Sequence, residues 1–186
     1  MKITRKVSLE GDYADLHEGD QIEINVNGVP CMFTCYRIVD EKKLMVCDEV
    51  IEDNIRMNRK DTNEGGFDAS DLKKWLNTDF KEMLDDDVKH HICGDIRILS
   101  YGEVFGSEDR PSWIKDDGSE QLPLMKKRRN RIASWTDEDG KEQYADWWLR
   151  DPVSAAYFAV VSTGGNATCT GASAAWVGVR PAFGIC

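Results

Sequence analysis

The chain has 186 residues, with 24 basic and 34 acidic side chains and a formal net charge of −10 at pH 7. This acidic balance argues against nucleic acid as a partner, because binding there depends on neutralising phosphates. No run of about 20 apolar residues is present, so no membrane insertion is predicted.

The N-terminal residues 1–6 are basic, and no apolar run follows them. A signal peptide needs such a run, so none is predicted. We expect the protein to be cytoplasmic until assembly, with a virion or a cell surface as its destination. Residues 1–20 are assigned to an N-terminal segment, an attachment region or a strand, and residues 21–186 to one domain.

Alternating apolar side chains predict an antiparallel meander at the start of this domain. Ile22, Ile24 and Val26 alternate with polar residues, and the following Asn27-Gly28 is typical of a tight hairpin turn. The return strand is predicted over 29–39, and a third strand over 44–47.

From Asp68 the apolar period becomes helical. One amphipathic helix is predicted over 68–89, with Asp68 or Ser70 as its N-cap. Its apolar stripe consists of Leu72, Trp75, Leu76, Phe80, Met83 and Leu84.

The remainder of the chain is predicted to be loops and strands. Residues 92–105 form a strand-like connection, and 106–140 are largely loop with short helical turns. Further strands follow Trp147, turn at Gly164-Gly165, and end in a closing strand that contains Val179, Pro181 and Phe183. Strands first, one helix, long loops and strands last indicate an α+β fold.

The six cysteines are predicted to be mostly free and buried, because no signal peptide directs the chain to an oxidising compartment. They are Cys31, Cys35, Cys47, Cys93, Cys169 and Cys186. No pair has the CxxC spacing of redox and zinc motifs.

Three motifs suggest metal ions, but none has the ligand set of a known site. The run His90-His91-x-Cys93 lacks a second cluster of ligands. The acidic runs 85–87 and 116–118 lack the alternating oxygen ligands of a calcium loop. We therefore expect neither metal nor cofactor.

A basic run, residues 126–131, has five cations in six residues. A phosphate or polyanion site is one interpretation. The favoured one is a solvated turn whose arginines pair with the many acids of the chain.

The clearest functional signal lies between Val153 and Gly178, where 17 of 26 residues are Gly, Ala, Ser or Thr. We call residues 153–178 the small-residue segment. Aromatic side chains scattered among small polar residues are typical of recognition surfaces. Two packed core strands are the alternative, but the hydroxyls and amides are too many to bury without partners. Since no catalytic motif is present, we predict a binding protein and not an enzyme.

Two motifs flank this segment: Trp147-Trp148-Leu149-Arg150 before it and Gly178-Val179-Arg180-Pro181-Ala182 after it. With the upstream Ser70–Asn77 and Glu103–Gly106, their order resembles a group of bacterial and phage proteins with the C-type lectin fold. That group includes the variable proteins that retroelements diversify in phages and gut bacteria.

The resemblance implies a small mixed domain whose N- and C-terminal strands pair, and a small-residue segment that forms the exposed ligand-binding face. The implied ligand-binding residues are Tyr157, Ser162, Thr163, Asn166, Thr168, Thr170, Ser173 and Trp176. The implied scaffold residues are Trp147, Trp148, Leu149, Arg150, Arg180 and Pro181. The calcium–sugar tripeptides of true lectins are absent, which argues against calcium-dependent sugar binding.

The leading hypothesis is a non-enzymatic receptor-recognition protein on a phage tail or cell surface. Its ligand would be a host or bacterial surface protein or another macromolecule, and a homo-oligomer is compatible with the sequence. One alternative is a structural virion subunit. The other is an enzyme whose fold resembles that of the formylglycine-generating enzymes, with Cys169 as the reactive residue.

Overall fold

A computed structural model of the protein describes residues 6–7, 13–51 and 55–186, without the side chains of residues 6, 7 and 14. The chain forms two compact units. The first contains the described residues up to Asp48, together with Trp75–Arg97 and Pro181–Cys186, and the second contains Glu49–Lys74 and Ile98–Arg180. Residues 1–5 and 8–12 of the predicted N-terminal segment lie outside the described residues, and the single domain over 21–186 stays a prediction.

The first unit is built on one six-stranded sheet. Its strands, in the order β1-β2-β3-β4-β11-β5, are β1 (Lys6–Val7), β2 (Gln21–Val26), β3 (Val29–Val39), β4 (Lys42–Cys47), β11 (Ala182–Ile185) and β5 (Ile92–Arg97). The pairing of β1 with β2 is parallel, and the other pairings are antiparallel.

The predicted meander is confirmed. Strand β2 pairs with β3 in the register that places Ile22 opposite Phe33 and Ile24 opposite Cys31. Asn27 and Gly28 have φ angles of 52° and 78°, the left-handed conformation that a two-residue hairpin requires at both positions.

The C-terminal strand β11 lies between β4 and β5. The pairing of N- and C-terminal strands that the resemblance implied is therefore wrong for β1 and β11. The ring of Phe183 on β11 lies 5.3 Å from that of Phe33, centroid to centroid, in the apolar core of this unit.

The single helix predicted over 68–89 is wrong in its length. The chain forms a 3-10 turn (Phe67–Ala69), α1 (Asp71–Trp75), a π-helical stretch (Leu76–Phe80) and α2 (Lys81–Met83), and then a separate α3 (Asp86–His91). Leu84 is extended at the break, because its backbone forms a bridge with Val26. The predicted cap is confirmed for Ser70, whose hydroxyl accepts a hydrogen bond from the N–H of Lys73 at 3.0 Å.

The second unit contains a three-stranded and a two-stranded antiparallel sheet. The three-stranded sheet has the order β10-β9-β8, with β8 (Trp147–Pro152), β9 (Tyr157–Val161) and β10 (Ala167–Gly171). The two-stranded sheet pairs β6 (Ala133–Thr136) with β7 (Glu142–Ala145). The strands predicted around Gly164-Gly165 are confirmed.

The strand-like connection predicted up to Phe105 is only partly correct. Strand β5 ends at Arg97, and residues Tyr101–Phe105 form the helix α4. Ser100 and Glu103 make a capping box there, which satisfies the free N–H groups at the helix start. The polar stretch beyond it is largely loop, as predicted, with 3-10 turns at Pro123–Lys126 and Arg128–Asn130.

These elements give a mixed fold, in which ten of the described strands lie in antiparallel pairings and the helices are few and short. No helix among the described residues is long and apolar enough to cross a membrane.

The cysteine prediction is partly wrong. Cys93 and Cys186 form a disulfide that ties β5 to the residue after β11. Cys31, Cys35 and Cys47 are free and buried as predicted, whereas Cys169 is free and exposed. Burial raises the pKa of the Cys35 thiol to about 11, so this thiol stays protonated at neutral pH.

Candidate ligand-binding surface

The two flanking motifs hold the ends of the small-residue segment side by side. The N–H of Trp148 donates to the carbonyl of Gly178 at 3.1 Å, and the N–H of Gly178 donates to the carbonyl of Asp146 at 2.8 Å. Gly178 also fits where a side chain would not, because a β-carbon there would overlap Val50. The small-residue segment therefore begins and ends at neighbouring points of the structure, and we call the flanking residues that hold these two ends its base.

Buried aromatic and cationic side chains form this base. Trp147 and Trp148 are fully buried, and their indole N–H groups donate to the carbonyls of Arg131 at 2.8 Å and Ile55 at 3.1 Å. The guanidinium of Arg180 is also buried and lies 4.7 Å from the centroid of the Trp147 ring. These are the positions that the resemblance assigned to the scaffold.

The eight predicted ligand-binding residues differ in exposure. Four are exposed: Tyr157, Thr163, Asn166 and Trp176. The other four, Ser162, Thr168, Thr170 and Ser173, are half-buried. All eight lie in the second unit.

The strand register divides these residues between two faces. Tyr157 lies opposite Gly171, whereas Thr170 and Thr168 lie opposite Phe158 and Val160. Residues directly opposite on antiparallel strands share a face of the sheet. The two threonines thus share a face with the buried Phe158 and Val160, and Tyr157 lies on the other face with Cys169.

Three more predicted residues, Ser162, Thr163 and Asn166, lie in the hairpin between β9 and β10. The N–H of Thr163 donates to the carboxylate of Asp146 at 2.7 Å. From the other side, Nε of Arg128 donates to the carbonyl of Gly164 at 2.6 Å. The hairpin is therefore anchored to residues outside the small-residue segment.

The opposite end of the sheet is held by three polar residues that no sequence motif indicated. The amide of Asn63 donates to the carbonyls of Ser154 and Tyr157, at 2.6 and 3.2 Å. The N–H of Asn58 donates to the carbonyl of Ala172 at 2.9 Å. The carboxylate of Asp61 accepts two hydrogen bonds from Ser173, which lower the pKa of Asp61.

Four exposed aromatic side chains occur among the described residues, all in the second unit: Trp113, Tyr144, Tyr157 and Trp176. Trp176 is 59% exposed and Tyr157 is 46% exposed. Trp and Tyr are among the residue types most enriched at the energetic centres of binding surfaces. Tyr157 and Trp176 belong to the small-residue segment, and Tyr144 lies outside it on β7.

A separate polar cavity of about 660 Å³ lies in the loop after α4. Its acidic lining residues are Glu108, Asp109, Asp116 and Glu120. Asp116 also pairs with Arg110 at 2.7 Å, and this hydrogen bond lowers its pKa. The remaining acids give the cavity a negative lining.

Next to this cavity, the pKa values of Asp117 and Asp151 are shifted in opposite directions. Burial raises the pKa of Asp117, but hydrogen bonds from Arg150 and Ser119 outweigh it and bring the pKa to about 2. Burial raises the pKa of Asp151 to about 6, although the N–H of Tyr101 donates to its carboxylate at 2.6 Å.

The basic run 126–131 divides into two parts, one that contacts the scaffold and one that is exposed, and the sequence did not predict this division. The carbonyls of Asn130 and Arg131 accept hydrogen bonds from Arg180 and Trp147, so its end belongs to the scaffold. Residues 126–129 are exposed. This exposure agrees with the predicted solvated turn. Among the described residues none of those four cations forms a salt bridge, so the predicted pairing of arginines with acids of the chain is wrong for Arg128 and Arg129.

The motifs considered for metal ions have other contacts. Asp85 accepts from Asn25, Asp86 pairs with Lys89 at 2.7 Å, and Asp87 accepts from the hydroxyl of Tyr13. The His91 ring packs 4.5 Å from that of Tyr13. No group of three His, Cys, Asp or Glu side chains within the described ranges has the geometry to hold a metal ion.

Comparison with known proteins gives one family. A family model described as a domain of unknown function (DUF6273) matches residues 41–94 and 95–186, which is most of the chain. No curated protein and no solved structure matches the chain.

Proposed function

The chain belongs to the DUF6273 family, and we propose that it is a non-enzymatic binding protein whose small-residue segment contacts a macromolecular ligand. The observation that carries this proposal is the exposure of Tyr157 and Trp176 in a segment without charged side chains. Removing such aromatic surface from water on binding yields a large favourable free energy at a small loss of side-chain entropy.

The hydrogen bonds around the segment support this proposal. Asp61, Asn63, Arg128 and Asp146 each bond to its backbone and hold it from outside. A surface that is already ordered loses less conformational entropy when it binds, and this increases affinity.

The division of the predicted residues between two faces narrows the proposed site. Tyr157 and Trp176 are its aromatic anchors, and the exposed hairpin residues Thr163 and Asn166 supply hydrogen bonds. Thr168 and Thr170 are half-buried, whereas Tyr157 is exposed, so we give the two threonines a smaller part in ligand contact.

In its finer form, the proposal is a C-type-lectin-like receptor-recognition protein, displayed on a phage tail or a cell surface and diversified by a retroelement. It rests on the order of the motifs around the small-residue segment. Sequencing the locus across related strains or lysates tests it. Substitutions confined to codons 154–178 would support diversification. If these codons vary no more among strains than those of α1 through α3, the diversification hypothesis is rejected.

The binding experiment measures retention of the labelled protein on a panel of intact bacterial cells. We expect Tyr157→Ala and Trp176→Ala to lower retention at least tenfold, as loss of an interface anchor does. Tyr144→Ala is the matched control, because Tyr144 is an exposed aromatic outside the segment. Retention that is equal in all three variants, with folding unchanged, would rule out the proposed face.

The enzyme alternative is favoured by one observation: Cys169 is exposed, whereas Cys31, Cys35 and Cys47 are buried. A reactive cysteine would lie on the same face as Tyr157. The rate of alkylation by iodoacetamide, compared with that of an unfolded peptide containing residues 165–173, tests this alternative. A rate no higher than that of the peptide removes it, because a catalytic thiol is activated.

A further inference from the structure

Strand β10 lies at the edge of its sheet, with β9 on one side only. The N–H of Ser162 donates to the carbonyl of Asn166, and the N–H of Ala172 donates to that of Ala156. Hydrogen-bonded pairs alternate along an antiparallel ladder, so Thr168 and Thr170 bond to β9. The N–H and C=O groups of Ala167, Cys169 and Gly171 therefore point away from β9, and the carbonyl of Gly171 accepts a hydrogen bond from the N–H of Ala174 at 3.0 Å.

The outer edge is open at its centre. Cys169 is exposed, and no hydrogen bond from elsewhere in the described chain reaches it. Proteins usually protect such edges with lysine, proline or a bulge. The sequence of β10 is Ala-Thr-Cys-Thr-Gly, which contains no lysine or proline, and its register with β9 is regular.

We propose that β10 pairs with β10 of a second copy of this chain, antiparallel and about a two-fold axis at Cys169. This register pairs every outward residue with an outward residue: Cys169 with Cys169, and Ala167 with Gly171. Thr168 then lies opposite Thr170, a favourable cross-strand pair. The two three-stranded sheets become one sheet of six strands.

Opposite charges at the two ends of β10 favour a second copy as the occupant. Each copy has a net charge of −10, and this overall repulsion is weakest where the paired surface carries no charge. Residues 152–179 contain no charged side chain. Asp61 lies at the Gly171 end of β10 and Arg128 at the hairpin end, so antiparallel pairing brings the Asp61 end of one copy to the Arg128 end of the other.

The pairing extends the proposed function but does not depend on it, because the dimer uses the strand edge and needs no ligand. Two copies would carry two binding surfaces on one sheet, and a repeated ligand could engage both. A dimer that binds no cells would overturn the proposed function only, and a monomer that binds cells would overturn this pairing only.

Sedimentation equilibrium of the full chain without reductant, which keeps the Cys93–Cys186 disulfide intact, tests the pairing. The concentration range is about 5 to 500 µM, because a short strand edge gives a weak interface. We expect the mass to rise from 21.1 kDa towards twice that value. Cys169→Lys places two like charges opposite each other and should keep the protein monomeric. Cys169→Ser should dimerise as the wild type does.

Cross-linking tests the register. Cys169 is the one exposed free cysteine, and a hydrogen-bonded pair has Cα atoms about 5.5 Å apart, within the range of a disulfide. Mild copper–phenanthroline oxidation should therefore link two copies of the wild type. Cys169→Ser with Thr170→Cys should link at least tenfold more slowly, because that pair is diagonal, at about 7–8 Å.

Three results would overturn the pairing: a monomer at all concentrations, a dimer that persists in Cys169→Lys, or equal cross-linking at positions 169 and 170. Circular dichroism confirms that each variant folds. If Cys169→Lys does not fold, the cross-linking comparison decides by itself, since serine at the exposed position 169 and cysteine at the half-buried position 170 are close in size to the residues they replace.

Discussion

The carboxylate of Asp61 accepts two hydrogen bonds from Ser173, one from its N–H at 2.9 Å and one from its hydroxyl at 2.6 Å. Asp61 is far from Ser173 in sequence, so this contact joins an exposed loop to the end of the small-residue segment. The strength of this contact depends on the charge of the carboxylate, because ionised acceptors make stronger hydrogen bonds than neutral ones.

We predict that Asp61→Asn loosens residues 173–176. The neutral amide keeps one acceptor oxygen but loses the charge that strengthens both hydrogen bonds. Hydrogen exchange of the Ser173 amide should become faster in the variant, whereas Glu64→Gln, in the same exposed loop, should leave it unchanged. Equal exchange in Asp61→Asn and the wild type would contradict the prediction.

The same contact has a pH dependence. Hydrogen bonds from Ser173 lower the pKa of Asp61 in the folded state. A lowered carboxyl pKa stabilises the fold above the unfolded pKa of about 3.9 and loses this effect as the pH falls through the folded pKa. Protection of the Ser173 amide should therefore decrease on acidification below about pH 4 in the wild type, and not in Asp61→Asn.

Asp151 should have the opposite effect on stability. Because burial raises its pKa to about 6, the folded state keeps a proton that the unfolded state has lost between about pH 4 and 6. The free energy of unfolding then falls as the pH rises through this window, by roughly 2–3 kcal/mol.

Asp151→Asn should remove this fall, because an amide has no charge to bury. Urea denaturation at several pH values between 4 and 7 measures the difference. The pKa of Asp117 is lowered to about 2, so its effect on stability lies mainly below about pH 4 and has the opposite sign. A wild-type stability that does not change between pH 4 and 7, relative to the variant, would contradict the assignment.

Replacement of two tryptophans, Trp148 and Trp176, should have different effects on the stability of the fold. Trp148 is fully buried and Trp176 is 59% exposed. Trp148→Ala should cost about 3–5 kcal/mol, from lost burial and a cavity, whereas Trp176→Ala should change stability by less than about 0.5 kcal/mol. Thermal denaturation of both variants measures the contrast, and equal losses would place Trp176 in the core.

The close approach of Gly178 to Val50 predicts a compensating pair. Gly178→Ala adds a β-carbon where Val50 lies, so it should destabilise by about 1–3 kcal/mol. Val50→Ala makes room, so the double variant should be more stable than the sum of the single effects. Additive free energies of unfolding would show that the two positions are not in contact.

The disulfide between Cys93 and Cys186 should contribute about 2–4 kcal/mol, because it closes a long loop of the unfolded chain. Cys93→Ala with Cys186→Ala should lower the free energy of unfolding, measured by urea denaturation, by this amount, and Cys169→Ser should not change it. Alkylation of all six cysteines in the unfolded protein without reductant would show that the bond is absent.

The sequence predicts well where local pattern and turn chemistry agree. The meander is confirmed because the alternation of Ile22, Ile24 and Val26 leads directly into Asn27-Gly28, which has few conformations to choose from. The helix broke at Leu84 because a bridge to Val26, distant in sequence, competed with the helical period.

Some of the errors had a signal in the sequence. The acids Asp85–Asp87 in the middle of the predicted helix are typical of a helix start, and α3 begins there. Ser100 and Glu103 have the spacing of a capping box, so α4 could have been predicted. The division of Tyr157, Thr168 and Thr170 between two faces depends on strand register, which the spacing of small residues does not determine.

The position of β11 has a consequence for the order of folding. Strand β5 ends at Arg97 and its neighbour β11 begins at Ala182, so the sheet of the first unit cannot be completed until the chain between them has been made. Until then β4 has an unpaired edge and β5 has no partner strand. Contacts over such long sequence separations form slowly, because the loop-closure entropy is lost before the pairing stabilises the sheet. During synthesis the unpaired edge of β4 and the unpaired β5 should therefore be the sites in the first unit that are most exposed to misassociation.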